Sequence, residues 1–158
     1  MKISNGVKQK KIIVAVSGYF NPLHVGHLEM MEKAKKLGDR LVVIVNNDYQ
    51  VKLKGSVPFI KQADRMKIVS AVKWVDRVFL SIDQDLSVRK SLNKVKPDIF
   101  AQGGDRHQGN IPEAEVCRRL NIKMVDGLGK KIRSSSILIA EAAEKKFYPV
   151  KYALRPNL

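Results

Sequence analysis

Five short apolar runs recur along the chain, most of them followed by a stretch whose apolar residues return at helical spacing. This alternation narrows the fold more than any other feature. Residues 12–16 and 41–45 are uninterrupted and rich in β-branched side chains, the pattern of strands buried on both faces of a parallel sheet. Residues 77–81, 98–101 and 122–125 supply three shorter candidate strands. Helices are expected over residues 24–37, 61–72, 86–95, 112–120 and 134–145. In the first, Val25, Leu28, Met31, Ala34 and Leu37 keep close to the helical period, and Gly38 stops it. Pro112 suits a first helical turn, and serine hydroxyls at 134–136 can cap the last helix. Residues 46–58 read as a polar, lysine-bearing loop. The predicted fold is α/β: a single Rossmann-like, doubly wound, five-stranded parallel sheet with helices on both faces and right-handed crossovers. Sheets of this kind bind ligands beyond the carboxyl ends of their strands. That rule gathers three segments at one edge: the turn at residues 18–27, the Gly103–Gly104 loop and the approach to Ser134.

A length of 158 residues fits one domain, expected over residues 1–146 and followed by a tail at 147–158. No apolar run approaches the ~18–20 residues that span a bilayer. The polar, basic first eleven residues lack the apolar core of a secretory signal. Cys117 is solitary and forms no internal disulfide, so a reducing cytoplasm is the expected compartment. Thirty Lys and Arg against fifteen Asp and Glu leave a formal charge of +15, which favours anionic partners without choosing among nucleotides, phosphorylated metabolites, nucleic acid and acidic membranes.

Two of the three histidines, His24 and His27, stand three residues apart in Gly18-Tyr19-Phe20-Asn21-Pro22-Leu23-His24-Val25-Gly26-His27, directly after the first candidate strand. At a helix N-terminus residues three apart are neighbours, so both rings share a face. The unpaired N–H groups and the helix dipole there already favour an anion. Two imidazoles add directional donors without obligatory charge, and Gly26 lets a phosphate approach the backbone. A zinc site would need a third ligand, and none is evident nearby. Near the last helix, Lys131 and the hydroxyls of Ser134, Ser135 and Ser136, with Lys130 and Arg133 adjacent, form a candidate triphosphate cradle. Gly103, Gly104, Asp105 and Arg106 follow the fourth strand, where glycines permit close approach of a base or ribose and Asp105 can accept from hydroxyls or an exocyclic amine. Neither a dinucleotide-binding glycine fingerprint nor a Walker-type loop occurs. Trp74 reads as core or interface, and His107 as incidental.

The segment from Gly18 to His27 resembles the HxGH signature of the cytidylyltransferase-like nucleotidyltransferases. Lys52 to Gly55, Pro58, Asp64-Arg65-Met66 and residues 71–76 are similar, in order, to the middle of heptose-phosphate adenylyltransferases. Pro97-Asp98 and Gly103-Gly104-Asp105 are similar to that group and to glycerol-phosphate cytidylyltransferases. The resemblance covers residues 11–143. It implies that His24 and His27 contact nucleotide phosphates and stabilise the transition state. Lys52 or Lys54 would neutralise phosphate charge, and Arg65 would support acceptor binding. Gly18, Tyr19, Phe20, Asn21, Gly26 and the serine motif would hold the nucleotide. The arginine that opens the serine motif in glycerol-phosphate enzymes aligns near Gly129 and is missing; Lys130, Lys131 or Arg133 could replace it.

The implied reaction transfers CMP from CTP to a small phosphorylated alcohol or sugar and releases pyrophosphate. The alternative is adenylyl transfer from ATP to a sugar phosphate or FMN. Mg²⁺ is expected to accompany the triphosphate, with no metal ligand from protein side chains. A non-catalytic nucleotide- or nucleic-acid-binding protein is the reading from another class. The sparse aromatic content and the lack of a reader motif argue against nucleic acid. The resemblance also allows a homodimer, with Phe147-Tyr148-Pro149-Val150 as an interface strip, or as a tail packed on its own domain.

Overall fold

The computed structural model describes residues 9–104, 111–129 and 134–144. Its five strands are β1 (Ile13–Gly18), β2 (Arg40–Val45), β3 (Arg77–Leu80), β4 (Ile99–Ala101) and β5 (Lys123–Val125). All neighbouring pairs are parallel, in the order β3-β2-β1-β4-β5. The helices are α1 (Val25–Lys35), α2 (Asp48–Leu53), α3 (Gln62–Ser70), α4 (Arg89–Val95), α5 (Ala114–Arg119) and α6 (Ser135–Glu144). Each predicted strand and helix is present, shifted by a few residues at its ends. The predicted loop at 46–58 is corrected: it contains α2, which is too short to show a period. Asn47 accepts the Gln50 backbone N–H at 2.9 Å while the Gln50 side chain accepts the Asn47 N–H at 3.1 Å, a reciprocal box that fixes its first turn.

The sheet separates two apolar layers, as a parallel sheet must when both faces are covered. Val14, Val16, Leu41, Val43 and Val45 turn to one face and meet Met31 and Ala34 of α1 and Val69 of α3. Ala15, Ile44 and Phe100 turn to the other and meet Leu92 of α4 and Val116 and Cys117 of α5. The strict alternation along β1 and β2 is the two-residue strand period read directly as packing. Burial pushes the Cys117 thiol up to about 11, as suits a core residue rather than a nucleophile. Trp74 packs against the α1 layer, as its core reading expects.

The chain runs from β1 outward through β2 to β3, then returns to place β4 on the other side of β1. The order reverses between β1 and β4, and their carboxyl ends open a crevice there.

Candidate active site

The crevice at the ends of β1 and β4 is a cleft of about 840 Å³. It collects the turn from β1 into α1, the Gly103–Gly104 loop and the start of α6, the three segments that the sequence places at one edge. Gly18, Tyr19, Asn21, His24, Gly26, His27, Lys54, Gly103, Gly104, Ser134, Ser135 and Ser136 all line it.

The two histidines sit where the backbone already favours an anion. His24 is the N-cap residue of α1, with extended φ and ψ, and His27 is its third helical residue. The rings stack at 3.7 Å between centroids. The backbone N–H of His24 donates to Nδ1 of His27 at 3.3 Å. That bond assigns the proton of the neutral His27 ring to Nε2, which becomes the donor His27 offers the cleft. Burial, the adjacent His24 ring and the Lys54 ammonium hold the His27 imidazole down, to about 3. His27 is therefore a neutral hydrogen-bond donor at ordinary pH, not a resident cation.

The opposite wall begins at the N-terminus of α6. The Ser134 hydroxyl accepts the Ile137 N–H at 3.2 Å, capping the helix as its sequence suggests. The Ser135 hydroxyl donates to the Pro22 carbonyl at 3.1 Å and so ties α6 to the histidine-bearing turn. Two helix N-termini, from α1 and α6, thus share one cleft, and their partial positive charges add where an anion would lie.

Between them lies the β4 loop. A side chain at Gly103 would approach the Leu128 carbonyl and the Met30 sulfur, each at 3.1 Å, so this glycine permits close packing. Gly104 has φ +73 with open space beside it, the backbone region in which glycine alone is unstrained.

Four of the expected site residues stand differently from the expectation. Arg65 is fully buried, so it does not present itself to an acceptor. Its guanidinium donates to the carbonyls of Ile60 (3.0 Å), Tyr19 (2.6 Å) and Asn46 (2.6 Å), and to Asp48 Oδ1 (2.8 Å). It braces the ends of β1 and β2 against α2. Phe20 is 1% exposed, has φ 50, and its ring meets the edge of His27 at 4.8 Å. It supports a site residue from behind and does not line the cleft. Asn21 lines the cleft, but its amide joins the turn to the following loop by donating to the Val57 carbonyl at 2.8 Å and accepting from the Ile60 N–H at 3.3 Å. Of the two lysines, Lys54 reaches the cleft and lies 4.4 Å from the Tyr19 ring centroid, whereas Lys52, two residues earlier, is exposed and outside the lining. Asp105, Arg106, His107, Lys130, Lys131, Arg133 and the 147–158 tail lie outside the described residues.

The cleft also contains residues that the sequence did not single out: Ser17, Asn46, Leu86, Val88, Gln102 and Glu113. Gln102 directly precedes the glycine pair, and that adjacency was a readable signal. Glu113 comes from the turn before α5, and only the folded sheet brings it to the same cleft. Among the described residues, no group of three or more His, Cys, Asp or Glu is placed to hold a metal ion. A magnesium ion carried mainly by phosphate oxygens and water fits such a donor set. None of the described helices is long and apolar enough to cross a membrane.

A family model described as cytidylyltransferase-like matches residues 15–145. The bifunctional protein HldE of Streptomyces coelicolor is 36% identical over 139 residues, covering 84% of this chain. The chain spans only 28% of that protein's length. An FAD synthase from Archaeoglobus profundus is 39% identical over 114 residues, covering 71% of this chain and 72% of the synthase. A solved structure described as a lipopolysaccharide core biosynthesis protein, from Thermoplasma volcanium GSS1, superposes with a TM-score of 0.64 at 34% identity. It covers 74% of this chain and 96% of that one.

Proposed function

Because the chain belongs to the cytidylyltransferase-like family of nucleotidyltransferases, we propose that it transfers an adenylyl group from ATP to a small phosphorylated acceptor and releases pyrophosphate. The CTP reading implied by the resemblance gives way to its adenylyl-transfer alternative. Proteins similar to it include FAD synthases, whose product carries an adenylyl group, and HldE. The acceptor is a sugar phosphate or FMN.

The observation that carries this reading is the His27 ring, held neutral with Nε2 as its donor, between two helix N-termini. An acceptor phosphate is already anionic, so no general base is required. Its oxygen forms the new bond to the α-phosphorus, and the bond from that phosphorus to the bridging oxygen breaks. The pyrophosphate leaves with the electron pair. The difficulty of the step lies in alignment and in the charge that develops on the α-phosphoryl oxygens. His27 Nε2–H and the His24 ring donate there, Lys54 offsets charge on the nucleophile's side, and the serine cap of α6 receives the leaving end. Mg²⁺, bound by the triphosphate, would neutralise charge on the leaving pyrophosphate.

Pyrophosphate release tests the assignment, with ATP, CTP, GTP and UTP each paired with FMN, glycerol 3-phosphate and a set of sugar phosphates. ATP is expected to support turnover with at least one acceptor. Turnover with CTP alone would reverse the choice of nucleotide. Silence across the panel would reject catalysis.

A further inference from the structure

The cleft extends past the phosphate-binding wall to the side of the sheet covered by α4 and α5. Two polar side chains there are unusual. Gln102 is 6% exposed, and among the described residues neither atom of its amide has a hydrogen-bond partner. Glu113 is 3% exposed; its Oε1 accepts the Val88 N–H at 2.9 Å, but its Oε2 has no partner among the described residues. Both residues line the cleft. Gln102 continues the alternation of β4, and so lies on the Phe100 side, the layer that α4 and α5 cover. Its own backbone is fully engaged, donating to the Val125 carbonyl at 2.7 Å and accepting from the Leu128 N–H at 3.0 Å. Its backbone position is therefore fixed, while the polar atoms of its side chain stay unused.

Unmatched polar groups at this depth are costly, and native proteins keep few of them. Among the described residues, three such atoms belong to two side chains that line one cavity, and together they call for a ligand. Resting on the nucleotidyl-transfer reading above, we propose that Gln102 and Glu113 are specificity-determining residues that read vicinal hydroxyls at the end of the acceptor remote from its phosphate.

The count of donors and acceptors selects the chemistry. Glu113 Oε2 and Gln102 Oε1 both accept, while Gln102 Nε2 donates. A ligand must therefore supply at least two donors and one acceptor. A diol does so, because each hydroxyl both donates and accepts. The imide edge of an oxidised flavin ring carries a single N–H and leaves one of the two protein acceptors unmatched. A second phosphate would meet the Glu113 carboxylate as a like charge. FMN carries hydroxyls too, but on the ribityl chain beside its phosphate, and its remote end is the flavin ring; an acceptor hydroxylated at its remote end, a sugar or polyol phosphate, is thus preferred.

Two substitutions separate this role from a structural one. Glu113→Gln keeps an oxygen for the Val88 N–H and replaces the unused carboxylate oxygen with an NH₂ donor. Gln102→Leu removes both unused polar atoms at similar volume. With ATP fixed, kcat and KM are measured for mannose 1-phosphate, ribitol 5-phosphate, glycerol 3-phosphate and FMN. The hydroxylated acceptors are expected to outperform FMN. Each variant should raise the KM of the best of them by about tenfold or more, the scale of a lost hydrogen bond to a charged or desolvated group, while leaving the KM for ATP unchanged. Gln102→Leu should also melt at a higher temperature, because an unsatisfied buried amide is gone. Unchanged acceptor KM in both variants, or FMN as the best acceptor, would overturn the proposal. If the unmodified protein turns over no pair, the catalytic reading fails separately. Thermal protection by the same phosphorylated compounds then decides: protection by a hydroxylated compound that is lost in Glu113→Gln upholds the recognition site, and its absence or persistence overturns it.

Discussion

On the proposed mechanism, replacing His27 by alanine removes one hydrogen-bond donor from the place where charge develops, and the general cost of losing such a donor sets the size of the effect. Loss of a single preorganised donor of this kind costs about 10²–10³ in kcat, or ~2.7–4 kcal/mol of transition-state stabilisation. The stability cost is separate. His24 N–H loses its acceptor at 3.3 Å, and the Phe20 ring loses its edge contact at 4.8 Å. Each is worth on the order of 1 kcal/mol. Their sum is well below the ~5–15 kcal/mol that holds a domain of this kind together, so the variant should fold. Initial rates of pyrophosphate release at saturating ATP and acceptor are the assay, with a melting curve on the same preparation. His27→Gln, which keeps an N–H near the position of Nε2, should recover part of the loss. The loss should fall on kcat, because the donor acts on charge that is absent from the ground state. A folded His27→Ala protein with near-normal kcat, or one changed only in KM, would refute the reasoning.

The depressed His27 imidazole makes a second prediction, on stability against pH. The unfolded chain binds the proton near 6.5 and the folded one only near 3, so protonation favours unfolding. The stabilisation is complete above about pH 6.5 and erodes as pH falls toward 3, by at most ~1.4 kcal/mol per pH unit. Urea unfolding at pH 7, 5.5 and 4.5 should show this slope, His27→Ala should flatten it, and an unchanged slope in that variant would place the titration elsewhere. Arg65→Met should cost about 3–5 kcal/mol by leaving Asp48 and three carbonyls without their buried partner. Denaturant midpoints check it; undiminished stability with a large rise in acceptor KM would return Arg65 to an acceptor-binding role.

How much of this was legible in the sequence depends on the length scale of each interaction. The strands were legible because burial on both faces writes an unbroken β-branched run, as in residues 41–45. The histidine turn was legible because its pieces are consecutive. Helix α2 was missed because six residues carry no readable period, although Asn47 and Gln50 stand at capping-box spacing. The burial of Arg65 was missed for a different reason. An arginine among lysines in a basic chain looks solvated or ligand-facing, and nothing local announces that three carbonyls from three segments converge on it. Phe20 and Asn21 fell inside a motif whose every member looked functional. The fold divides them into those that meet the cleft and those that hold its walls.

That division connects scaffold to chemistry. Tyr19 offers its carbonyl to Arg65 and its ring to Lys54, so one residue joins the buried brace to the cation at the cleft. Phe20, in the left-handed region, turns its ring under His27 and leaves Gly18 the only residue type that fits above it, since a Cβ there would lie 2.6 Å from the ring. Ser135 then fastens α6 to the Pro22 carbonyl. On the proposed reading, groups that would face the phosphate are thus positioned by neighbours directed away from the cleft. The rings of His24 and His27 supply donors, but Arg65, Phe20 and Gly18 fix where those donors point. Substitutions behind the cleft should therefore lower kcat through geometry, since donors are effective only when already oriented toward the charge that forms.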